Sequence, residues 1–95
     1  MNIEQLQSMV YELFKSKGYT NDLMTLALGL CEEAGEVGKA INTFYNPNYI
    51  PSPNNNYDSL EHELCDVVVY LFGIANSAGI DLNKELEQKF AKISN

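Results

Sequence analysis

The sequence predicts an all-α fold, a bundle of four helices, and three observations point to it. Apolar residues recur at three- and four-residue intervals in four stretches. Between these stretches stand clusters of Gly, Pro, Asn and Asp that break helices. No stretch alternates apolar and polar residues over a useful strand length. Val67-Val68-Val69-Tyr70 is β-prone by composition but lies inside a 3.6-residue stripe, so it reads as helix.

The first helix covers about residues 2–17 and lines up Ile3, Leu6, Val10, Leu13 and Phe14 on one face. Gly18 with Thr20, Asn21 and Asp22 forms the first break. The second helix runs from about Asp22 to Thr43, roughly six turns. The third begins at Asp58, with Glu61 placed three residues on as a capping-box partner, and runs to about Ala78. Ala78-Gly79 breaks it before Asp81, which caps a fourth helix carrying Leu82, Leu86, Phe90 and Ile93. The connection 44–57 is longer than the ~2–8 residues usual between helices. Within it, Asn46 to Asn56 holds all three prolines and five asparagines. It is either a lid over a site or a surface excursion.

At 95 residues and 10.7 kDa the chain reads as a single domain, 1–95, with a thin core that partners would help to complete. Thirteen acids against six bases leave a charge of -7, which argues against a nucleic-acid backbone binder and a basic membrane-surface helix. No apolar run approaches the ~20 residues of a membrane span, and the N-terminus lacks a signal peptide's basic-then-apolar order. Cys31 and Cys65 are too few and too far apart for a disulfide scaffold or a Cys-based zinc site. A reduced, cytoplasmic setting is the expectation, with neither nucleic acid nor membrane as partner.

The acids of the second and third helices carry the chemistry. At ~100° per residue, with Glu33 set at zero, Leu26 falls near +20°, Val37 near +40° and Ala40 near -20°. Glu33 therefore lies inside the apolar stripe, flanked by Glu36 at about -60° and Glu32 at about -100°. Relative to Glu63, Val67 falls near +40°, Tyr70 near -20°, Ile74 near +20° and Asp66 near -60°. Each helix directs two acids, spaced i and i+3, towards the surface it buries. In an antiparallel hairpin Glu33 and Glu36 lie roughly 15 and 10 Å from the connecting loop, and Glu63 and Asp66 roughly 8 and 12 Å. The pairs interleave. Carboxylates gathered in this way either take up protons or bind cations. Oxygen ligands without His or Cys suit Mg²⁺, or Mn²⁺, better than zinc. A single Glu-x-x-Glu is usually a solvated face; two such pairs on apolar stripes at matched height are harder to explain that way.

Leu30-Cys31-Glu32-Glu33-Ala34-Gly35-Glu36-Val37, followed by Glu63-Leu64-Cys65-Asp66-Val67-Val68-Val69-Tyr70, resembles the E-E-x-x-E … E-x-x-D signature of the MazG-like all-α nucleoside triphosphate pyrophosphohydrolases. The likeness extends over nearly the whole chain, through a Gly-Ile-Asp-Leu turn into the last helix. It implies a four-helix MazG-like bundle completed by oligomerisation, as a homodimer or a homotetramer. It also implies that Glu33, Glu36, Glu63 and Asp66 coordinate Mg²⁺. Glu32 is then a further ligand or a base orienting water, which makes Glu32 and Glu33 the candidate catalytic pair. The implied reaction cleaves a nucleoside triphosphate between its α- and β-phosphates, giving a nucleoside monophosphate and pyrophosphate.

Other polar residues are less specific. Lys89 falls inside the stripe of the last helix, where it either reaches phosphate or snorkels from the core edge. Lys92 and Asn95 resemble the family's basic and amide positions, although the Arg expected beyond them is absent. Tyr70 either contacts the nucleotide or packs in the core. Lys39 reads as a surface lysine. There is no Trp for a base pocket, and Phe44, Tyr45, Tyr49 and Tyr57 are candidate substitutes. Gly29 lies on the inward stripe, where it permits close helix approach. The absence of any Glu-x-x-His argues against a di-iron bundle. Two alternatives stay open: a phosphoribosyl-ATP-type pyrophosphohydrolase, and a non-catalytic helical module that binds metal or a partner.

Overall fold

The structure, a computed structural model, describes residues 1–50 and 58–94. Four helices appear in the expected order: α1 (Ile3–Lys17), α2 (Leu23–Tyr45), α3 (Leu60–Ala78) and α4 (Leu82–Ser94). Tyr57 and Asn95 lie outside the described residues.

Local chemistry fixes the ends. At the start of α1, Asn2 Oδ1 accepts from Gln5 N at 2.8 Å and Gln5 Oε1 accepts from Asn2 N at 3.0 Å, a reciprocal capping box. Gly18 closes α1 in the left-handed region at φ 66°, which glycine adopts without a Cβ clash. Asp22 caps α2, accepting from the Thr25 hydroxyl at 2.7 Å and the Thr25 N–H at 2.9 Å. Those two bonds, the hydroxyl's foremost, hold the Asp22 carboxyl below its ordinary value.

The start of α3 corrects the sequence reading. Ser59, not Asp58, is the cap, its hydroxyl accepting from His62 N at 3.3 Å, and the expected Asp58–Glu61 capping box is not formed. A serine one residue downstream satisfies the same free N–H groups, so Asp58 stands outside the helix with its carboxylate available elsewhere. The second helix likewise ends at Tyr45 rather than Thr43.

α2 and α3 pair antiparallel, Gly29 meeting Tyr70 at one end and Ala40 lying beside Glu63 and Asp58 at the other. α1 packs on α3 as well, with the Phe14 ring against Gly73. Val10, Leu26, Ala40, Phe72 and Ala75 form the buried apolar core. It is thin, as a chain of this size implies.

α4 turns 105° away from α3 and packs on α1. One side chain sets that elbow. Gln7 Nε2 donates to Ile80 O at 2.7 Å and Asn76 Oδ1 at 3.0 Å, while Gln7 Oε1 accepts from Leu82 N at 3.1 Å. Asn76 Nδ2 donates back to Gln7 O at 3.1 Å. Substituting Gln7→Leu strands these partners and is expected to lower stability by about 1–2 kcal/mol in urea denaturation. Hydrogen exchange in α4 should rise before that in α2 and α3, because α4 has no buried residue of its own.

Candidate metal centre

The hairpin brings Glu33 from α2 together with Glu63 and Asp66 from α3. One carboxylate oxygen of each lies within 4.8 Å of the other two. The three differ in exposure. Glu63 is 6% exposed, Glu33 is half-buried and Asp66 faces solvent, so the cluster is covered at Glu63 and open along Asp66.

Electrostatics follow from the placement. Burial pushes the Glu33 carboxyl above its ordinary value, and repulsion from Asp66, Glu63, Glu32 and Glu36 adds to it. Burial likewise raises Glu63, reinforced by Asp58, Glu36 and Asp66 and opposed by neighbouring His62. Among the described residues no lysine pairs with any of the three. The one ion pair among the described residues joins Lys39 to Glu36, at 4.0 Å. Glu36, expected as an equal ligand, is thus at the cluster's edge with a lysine as its neighbour. Glu32 is exposed beside Glu33.

Two residues near the site were not read as part of it. Asp58, displaced from its expected cap, lines a small recess with Glu36, Lys39, Ala40 and Glu63. No periodicity could have placed it, because it precedes the helix. Lys39, read as a surface lysine, shares that recess. Tyr70 occupies the seam half-buried, its ring over Gly29. Lys89 and Lys92 are exposed on α4, whose packing partner is α1, and one chain does not bring them to the carboxylates.

The Gly29–Tyr70 contact sets how closely the helices approach. A Cβ on Gly29 would lie 2.7 Å from Tyr70 Cζ, closer than real contacts allow. Overpacking costs ~1–3 kcal/mol and the helix-propensity gain of alanine returns ~1. Gly29→Ala is therefore expected to destabilise the fold by about 1 kcal/mol in chemical denaturation, and to weaken divalent-cation binding by moving α3.

The donor set fits a hard divalent cation: oxygens only, from two helices, one carboxylate buried without a cationic partner. Fold and site together define a class, the all-α proteins that gather carboxylates on an antiparallel helix pair. The profile of the MazG nucleotide pyrophosphohydrolase domain matches residues 21–95, and the chain belongs to that family. Two crystal structures of iMazG from Vibrio DAT 722 are similar to it. The C-tagged form superposes with a TM-score of 0.76 at 27% identity, covering 100% of both chains. The N-tagged form gives 0.70 at 28% identity, covering 100% of this chain and 98% of the other. No curated protein matches the chain.

Proposed function

We propose that the protein is a Mg²⁺-dependent nucleoside triphosphate pyrophosphohydrolase. Water adds to the α-phosphorus, the bond from it to the α–β bridging oxygen breaks, and pyrophosphate leaves from a nucleoside monophosphate. One observation carries this reading: oxygens of Glu33, Glu63 and Asp66 converge within 4.8 Å with no lysine to neutralise them. Membership of the MazG family supports the reaction class.

In this reading Glu33, Glu63 and Asp66 hold the cation, and Glu36 joins them by exchanging Lys39 for the ion. Bound Mg²⁺, or Mn²⁺, supplies charge that screens the triphosphate and polarises the phosphorus under attack. Glu32, exposed beside Glu33, accepts the proton of the attacking water. Tyr70 is a proposed nucleotide contact; Lys89, Lys92 and Asn95 are proposed phosphate contacts.

The test is pyrophosphate release from a panel of ribo- and deoxynucleoside triphosphates. Turnover is expected with Mg²⁺, none in EDTA, and a much lower rate in Ca²⁺, whose larger and looser coordination shell orients in-line attack poorly. Turnover of phosphoribosyl-ATP alone would move the substrate assignment. Unchanged thermal stability in EDTA with no nucleotide turned over would leave a binding module.

A further inference from the structure

We infer that Asp58 is a positioning residue of the metal centre: it takes over the Lys39 ammonium when Glu36 leaves that lysine for the cation. The inference rests on the metal-binding reading above and adds to it the place where the displaced lysine goes.

Lys39 stands where two acids can share it. Its Nζ lies 4.0 Å from Glu36 Oε1, at the long end of an ion pair, and both side chains are about half exposed. An exposed pair three residues apart on one helix contributes little, so its exchange costs little. Lys39 lies one turn of α2, ~4.5 Å, beyond Glu36 towards the connection to α3. Asp58 enters from that same end, as the residue before the cap of α3. Along the hairpin, Lys39 therefore comes between the two acids.

The recess they share suits an ammonium and nothing larger. Glu36, Lys39, Ala40, Asp58 and Glu63 line it, and it encloses about 10 Å³, roughly the space of one water. Mg²⁺ keeps several waters of its own, so a second hydrated cation does not fit there. The head of Lys39 already borders the space. Ala40, fully buried, keeps the recess open, because a longer side chain at that position would fill it.

Asp58 brings the charge the lysine needs. Ser59 has taken over the capping of α3, and Asp58 is exposed with no ion pair among the described residues. After burial, it is Asp58 that most raises the Glu63 carboxyl, ahead of Glu36 and Asp66, so its carboxylate is close to the buried member of the trio. A divalent ion drawing on Glu36 would otherwise leave the Lys39 ammonium one turn away, unpaired and repelled. Moved onto Asp58, the ammonium stays neutralised, and the acid that crowds Glu63 is neutralised with it.

Mn²⁺ binding, read from the electron paramagnetic resonance signal of the free ion, tests this without any turnover. In about 0.15 M salt, exposed charges more than ~8 Å apart are largely screened. Asp58→Asn should weaken binding about five- to tenfold. Lys39→Met, which removes the competing ammonium, should bind at least as tightly as the wild type. In the Lys39→Met background, Asp58→Asn should change the dissociation constant by no more than about twofold, because the lysine through which it acts is gone. In the Mg²⁺-saturated wild type, NOEs from the Lys39 ε-methylene should reach the Asp58 β-protons rather than the Glu36 γ-protons. Equal losses in both backgrounds, the signature of a through-space charge effect, would overturn the assignment. So would unweakened binding by Asp58→Asn, or NOEs that stay on Glu36 in Mg²⁺. Those failures leave the metal centre standing, whereas a wild-type chain that binds no Mn²⁺ removes the centre and this inference together.

Discussion

Replacing Asp66 by Asn is expected to lower Mg²⁺-dependent pyrophosphate release by about a thousand-fold. The substitution keeps the shape of the side chain and removes one charge from the cation's shell. Asp66 is also the member of the trio that faces solvent, so the fold owes it little packing. Its negative charge raises both Glu33 and Glu63, and its removal should leave the metal-free protein as stable as the wild type or slightly more so. The two readouts therefore separate: turnover collapses while the melting temperature in EDTA does not fall. Unimpaired turnover would remove Asp66 from the site.

The second large effect is on stability. Glu33 and Glu63 titrate above their ordinary range in the folded chain. Between the ordinary glutamate value of ~4.3 and those raised values, the folded state holds more protons than the unfolded one. Stability in this window falls as pH rises. Asp22 acts in the opposite sense, its contribution being lost only as pH falls through its lowered value, at the acid end. In EDTA the melting temperature should consequently fall as pH rises from the ordinary glutamate value through the raised ones. Mg²⁺ should reverse that drop. At a hundredfold excess over its dissociation constant a cation that binds only the folded state adds ~2.7 kcal/mol, or roughly 10–20 °C in a domain this small. The gain should shrink at pH 5, where protons compete for the same oxygens. Scanning calorimetry across pH, with and without Mg²⁺, reads both slopes; a Mg²⁺ effect equal at pH 5 and pH 7 would separate binding from these carboxylates.

The convergence of Glu33, Glu63 and Asp66 was legible because each stands inside a regular helix, where ~100° per residue carries a direction faithfully over several turns. Two apolar stripes located the seam, and the acids within them followed. Asp58 was not legible, because it precedes the first turn of α3 and a neighbouring serine took the cap it was expected to fill. Periodicity also says nothing about which partner a side chain chooses within its sector. Glu36 falls in the sector expected of it, yet its nearest cation is Lys39, one turn along its own helix. The direction of α4 was beyond reach for a different reason. It is set by hydrogen bonds from Gln7, about seventy positions away in the chain, and nothing in the pattern of either helix encodes that pairing.

The wedge between Gly29 and Tyr70 has a consequence for ion choice. Each of these residues stands one helical turn from a carboxylate, Gly29 from Glu33 and Tyr70 from Asp66. The thickness of an aromatic ring is thereby the spacer that fixes the gap the two acids must bridge. In the proposed site, discrimination by ionic radius would in that sense be written at an uncharged position that never touches the ion.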